Sequence, residues 1–128
     1  MKKISPHLTI YKFPVTALSS ITNRVTGVAL TGIYIGYGLS LINDNDKILK
    51  DKYNKLNNNT KILFNSVVGF PLIYHTLGGL RHLYLDHYPK HLNNKFMTKS
   101  SIGLFGISSL ITLGLGYSIA EKNKINSE

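Results

Sequence analysis

The residues best placed to do chemistry lie in one stretch, Phe70-Pro-Leu-Ile-Tyr-His-Thr-Leu-Gly-Gly-Leu-Arg-His-Leu-Tyr-Leu-Asp86. His75 sits a few residues from the middle of an apolar run, where a neutral imidazole can ligate haem iron, bond a neighbouring helix or relay protons. On a helix, Gly78 and Gly79 share its face three and four residues on, and would leave that face flat enough for a porphyrin. His82 lies nearly in the same direction two turns later, with Arg81 beside it near the membrane surface; together they could neutralise propionates. Asp86, four residues after His82, could bond it along one helix face. From these residues alone, His75 reads either as a haem ligand or as a hydrogen-bonded structural histidine.

These side chains need a membrane to position them. Of the 128 residues, 43% are hydrophobic, an average that hides an uneven distribution of charge. Charge-free runs extend from Val25 to Ile42, from Ile62 to Leu80 and from Ser100 to Ala120, of 18, 19 and 21 residues. Runs of this length are the signature of membrane-spanning helices, and they lack the polar residue every third or fourth position that a soluble amphipathic helix shows. The expected fold is an all-α membrane protein, a single anchor domain over 1–128 with spans at about 20–42, 62–86 and 100–120.

Between the spans lie a polar first loop, Asn43 to Lys61, and a basic second loop, His87 to Lys99, with Pro89 as helix stop. Pro14 can open the first helix, which enters the membrane through the polar residues Ser19, Ser20, Thr22, Asn23 and Arg24. Gly32, Gly36 and Gly38 in the first span, and Gly103, Gly106, Ser109 and Gly116 in the third, suit close helix packing. Three helices offer little interior, so a membrane partner should complete the bundle.

The net charge of +9 comes from lysines flanking the spans, where they meet lipid headgroups, so nucleic acid is not the expected partner. The absence of cysteine excludes structural disulfides, cysteine-held iron–sulfur clusters and thiolate haem ligation. The segment MKKISPHLTIYKFPV shows neither a signal-peptide hydrophobic region nor a long Arg/Ser-rich transit pattern. Lys and Arg number eight on the side of the N-terminal lead and second loop against seven on the other, a slight lean toward an N-terminus on the positive side. His7, His87 and His91 fall in segments expected to be exposed. Abundant Asn and Lys point to an AT-rich genome, such as that of an organelle or a reduced bacterium.

Three blocks then resemble a known family. Ser5-Pro-His-Leu-Thr-Ile-Tyr11, Ser19-Ser-Ile-Thr-Asn-Arg-Val-Thr-Gly27 and His75-x-x-x-Gly-x-Arg-His-x-x-x-Asp86 are similar to the cytochrome b subunit of succinate dehydrogenase, the larger membrane anchor of respiratory complex II. The resemblance covers residues 5 to 120, with the blocks in the family's order.

It implies that His75 is the axial ligand of haem b, that Ser20 and Arg24 line the ubiquinone pocket, and that Arg24, Arg81 and His82 lie near the propionates or the quinone. Asp86 matches an acidic residue near the same membrane face, with a proton or structural role. Asn23 stands where many members have His; its amide can donate a hydrogen bond but cannot titrate. The implied partners are a smaller anchor subunit supplying the second haem ligand, an iron–sulfur subunit and a flavoprotein subunit. The implied location is the mitochondrial inner membrane, organelle-encoded, or else a bacterial inner membrane, with the N-terminus on the matrix or cytoplasmic side. The chain would serve an oxidoreductase without carrying the dehydrogenase active site. The alternative is a three-span haem or structural subunit of another membrane complex.

Overall fold

The computed structural model describes the backbone of residues 10, 12–43 and 45–125. Most of the Ser5–Tyr11 block, with His7, lies outside the described residues, as does the end of the tail. Four helices follow in order: α1 (Val15–Ile42), α2 (Asp46–Asn54), α3 (Asn58–His87) and α4 (Asn94–Ile125). No strand occurs among the described residues.

Among the described residues three helices are long and apolar enough to cross a membrane, Val15–Ile42, Asn58–His87 and Asn94–Lys122. Each outruns the charge-free stretch inside it. At a rise of 1.5 Å per residue, the 30-residue α3 is about 45 Å long, against a hydrocarbon layer of about 30 Å. The extra turns carry Lys61, Lys95 and Lys99, cations suited to the headgroup zone, while keeping the backbone internally hydrogen-bonded.

The sequence-derived loops shorten accordingly. Within the first loop the structure holds α2, whose Asp46 begins the helix and pairs with Lys50 one turn on at 3.2 Å. The second loop shrinks because α4 starts at Asn94, where the Asn93 side chain caps it by accepting the Phe96 N–H at 2.8 Å. Pro89 acts as the expected stop: α3 ends at His87 and a 3-10 turn spans Pro89–His91. Pro14 caps α1 from outside, its carbonyl accepting the amides of Ala17 and Leu18.

The bundle has little apolar interior. Among the described residues the buried hydrophobics are Tyr74, Leu85, Leu104 and Ala120, whereas leucines, isoleucines and valines are exposed along all three long helices. In water this would be inside-out; in lipid it is the expected arrangement. What packs inside is small or hydroxylated. Ser101, Leu104, Ser108, Thr112, Gly116 and Ala120 form one buried stripe along α4 facing α3, the small-residue seam that membrane helices use. A Cβ on Gly116 would stand 2.9 Å from Ser66 Oγ and 3.4 Å from the Ile62 carbonyl, so the seam is closest there. Gly32, Gly36, Gly38, Gly103 and Gly106 meet nothing within 4 Å; the glycine face of α1 is not used by this chain.

Candidate functional site

The polar groups converge at one end of the bundle, where the start of α1, the end of α3 and the start of α4 meet. Tyr74, wholly buried, donates its hydroxyl proton to Ser19 Oγ at 2.9 Å and approaches the Ser19 carbonyl at 3.3 Å. Its ring lies against Phe105 and Phe70, with centroids at 5.0 and 5.4 Å. Arg81, seven residues on and therefore on the same face, donates to Ser19 Oγ at 3.3 Å and to the Met97 carbonyl at 3.4 Å. Its other contact from the same nitrogen is Met97 Sδ at 3.6 Å. One guanidinium thus ties three helices together.

His75 faces α1. Its Nδ1 lies 2.9 Å from the Asn23 carbonyl oxygen, which can only accept, so Nδ1 carries the proton and Nε2 keeps its lone pair. Thr26 Oγ1 donates to the same carbonyl at 2.9 Å and sits 3.5 Å from Nδ1. The ring is thus oriented by a main-chain partner that a sequence pattern does not display.

A cavity of about 140 Å³ opens beside this network, lined by Thr16, Ser19, Ser20, Asn23, Gly78, Arg81, His82, Met97 and Leu104. Two buried atoms of its lining residues have no hydrogen-bond partner: the acceptor Asn23 Oδ1 and the donor Arg81 Nε. A buried polar atom without a partner is costly, and the two orphans, one acceptor and one donor, belong to residues beside the same small cavity.

Of the residues singled out from sequence, Ser20, Arg81 and His82 come together here. Arg24 does not line the cavity; it is exposed one turn from Ser20, with no partner among the described residues. Asp86 is also exposed, and the expected His82–Asp86 bond is not formed; at an open helix end, ordering two side chains costs about as much as such a pair returns. Arg81 turns inward rather than standing beside His82 at the surface. The clearing expected at Gly78 is filled by the Asn23 side chain, whereas Gly79 remains open. Met97, within the segment expected to form the second loop, is half-buried in α4 against Arg81.

Sequence reading passed over Ser19, Tyr74 and Thr26 as residues that bind across helices. The seven-residue spacing of Tyr74 and Arg81 was the available signal. Also unread was an aromatic group at the same end, where Tyr84, Tyr88, His91 and Phe96 stack and Tyr84 Oη lies 2.7 Å from His91 Nδ1. Such rings suit the headgroup layer.

Comparison with known proteins decides the family. The model for the succinate dehydrogenase/fumarate reductase transmembrane subunit matches residues 1–115. The chain belongs to this family. Its relatives include the mitochondrial succinate dehydrogenase cytochrome b560 subunit of Sus scrofa, 32% identical over 118 residues, covering 89% of this chain and 69% of the relative. That of Dictyostelium discoideum is 35% identical over 114 residues, covering 84% of this chain and 57% of the relative. The subunit of Reclinomonas americana is 35% identical over 121 residues, covering 88% and 82%. The chain therefore spans little more than half the length of some relatives and most of others.

Proposed function

We propose that this chain is a membrane anchor of succinate dehydrogenase, one domain over 1–128 in the mitochondrial inner membrane, organelle-encoded, that ligates haem b through His75 and forms one wall of a ubiquinone-reducing site. The observation that carries the reading is the His75 ring, held at Nδ1 by the Asn23 carbonyl with Nε2 left as the electron-pair donor. The donor set suits haem iron: one oriented imidazole, no cysteine anywhere in the sequence, and an open Gly79 on the same helix face. When bound, the haem would supply a reversible one-electron store between the anchors. His82 lies two turns from His75 along the same helix, about 10 Å by helical rise, so any further ligand to the haem would come from the smaller anchor.

The quinone reading rests on the cavity at Ser20, Asn23, Arg81 and His82. The Arg81 guanidinium can donate to a quinone carbonyl, Ser20 can donate or accept, and the Asn23 amide can do either once its side chain turns from Gly78 toward the cavity. At about 140 Å³ the cavity is smaller than the roughly 300–1,000 Å³ typical of ligand pockets, so neighbouring subunits would complete it. Arg24, a cation exposed in a spanning helix, needs an anionic or carbonyl partner from outside the chain. A propionate or the quinone suits it. Asp86 and His82 then lie at the mouth on the matrix side, where protons for quinone reduction enter. Flavin and iron–sulfur chemistry would reside in two soluble subunits docked on this end.

The test is a visible spectrum of the complex isolated through this subunit. A Soret band typical of low-spin b haem is expected, and His75→Leu should make the haem high-spin or remove it. A native complex without a Soret band would leave His75 a structural histidine. An unchanged low-spin spectrum in the variant would assign the ligand elsewhere.

A further inference from the structure

Gly27 is the closest point of α1 to the His75 ring. A Cβ built there would lie 2.9 Å from Cε1, 3.4 Å from Nδ1 and 3.7 Å from Nε2, nearer to Cε1 than real Cβ atoms come. The imidazole therefore lies flat in a notch that only glycine leaves open. The floor of the notch is Gly27 and its polar wall is the Asn23 carbonyl with the Thr26 hydroxyl, 2.9 and 3.5 Å from Nδ1. Both belong to the same turn of α1. The neighbouring contact repeats the pattern one turn along α3, where the Asn23 side chain fills the space over Gly78. Asn23 and Gly27, four apart on one face, thus register α1 against α3 at two points.

We propose that Gly27 is a positioning residue for His75. Its missing side chain lets the ring reach the Asn23 carbonyl, and that bond fixes both the tautomer and the ring plane presented to a metal. A side chain at 27 would rotate the ring about its two χ angles and break the bond from Nδ1, so the cost falls on ligand orientation rather than on helix packing. The inference concerns the ring's geometry, and its consequence for haem rests on the reading above. Second-sphere bonds of this kind typically alter metal affinity 10–100-fold.

The intact complex carrying Gly27→Ala would be compared with Gly114→Ala on exposed α4 surface, whose added Cβ meets nothing within 4 Å. Expected for Gly27→Ala are a shifted low-spin EPR gmax, which follows the orientation of the axial imidazole, and haem transfer to apomyoglobin about tenfold faster. Subunit content and succinate oxidation by a water-soluble acceptor should hold. Gly114→Ala should match the parent throughout. Identical gmax and transfer rate in Gly27→Ala and the parent would overturn the proposal. A readout independent of haem is 15N NMR of the histidine-labelled, haem-depleted complex, with His75 assigned by the resonance lost in His75→Leu: the parent should show protonated Nδ1 and bare Nε2, Gly27→Ala should lose that pattern, and an identical pattern in both, or the opposite tautomer in the parent, would overturn the proposal. Should the native complex hold no haem, the haem reading fails while the comparison of tautomer between the parent and Gly27→Ala still decides the role of Gly27.

Discussion

The two ends of the bundle carry polar side chains in similar supply and use them differently. At the end where α1 begins, bonds run between distant helices: Tyr74 to Ser19, Arg81 to Ser19 and Met97, His75 to Asn23. At the end where α1 finishes, the cross-element bond is short in sequence, Tyr53 Oη donating to Asn65 Oδ1 at 3.0 Å. Lys61, buried, lies 5.9 Å from the Tyr53 ring centroid. Yet the larger cavity is at this second end, about 620 Å³ between α2, α3 and Tyr37. Volume and chemistry part company here. The large space opens where a short amphipathic helix stands off from the spans. The small one is lined by residues from three helices, two of which, Asn23 and Arg81, each hold one orphaned polar atom, and convergent polar groups help to mark a binding site.

Arg81→Ala should break that contrast most severely. It removes charge-assisted bonds to Ser19 and Met97, each worth about 1.5–3 kcal/mol, together with a wall of the small cavity. Quinone reduction in the assembled complex should fall tenfold or more while succinate oxidation by a soluble acceptor persists. Lys61→Met, the buried cation of the other end, should leave the ratio of the two activities unchanged. Equal losses in both variants would erase the distinction between the ends.

Gly116→Val tests the second end as a packing joint. Its added carbons would press on Ser66 Oγ and the Ile62 carbonyl, and such overpacking costs about 1–3 kcal/mol. Thermal stability of the complex should drop and both activities should decline together. A selective loss of quinone reduction would move function to that end.

Much of this was legible in the sequence because lipid imposes a length. Three charge-free runs gave three helices, and Pro89 ended α3. The helix ends were misjudged because lysines look like loop, although Lys61, Lys95 and Lys99 ride on helical turns beyond the charge-free runs. The helix α2 escaped notice because its apolar residues are few and its propensity is spread over lysines and one Asp46–Lys50 pair. At the site, His75 stood out because imidazole at membrane depth is expensive. Its Asn23 partner did not, since every residue has a carbonyl and only the approach at Gly27 selects this one. Ser19 and Tyr74 were hidden for a related reason: hydroxyls in an apolar run usually bond their own helix, as Thr112 does to the Ser108 carbonyl at 2.7 Å.

Tyr74→Phe is the mildest probe and the most discriminating. The ring is retained, so its contacts with Phe70 and Phe105 persist and no cavity opens. Only the hydroxyl is lost, with its bond to Ser19 Oγ, a net cost of about 1 kcal/mol. Ser19 Oγ remains an acceptor for Arg81, so the guanidinium keeps its anchor and the cavity keeps its wall. Thermal stability should therefore fall slightly, and the Michaelis constant for quinone should change less than twofold. A loss of quinone reduction as large as that of Arg81→Ala would mean that the phenol itself, rather than the guanidinium, organises this end. In that case Arg81 would serve chiefly to hold Ser19 in place for Tyr74.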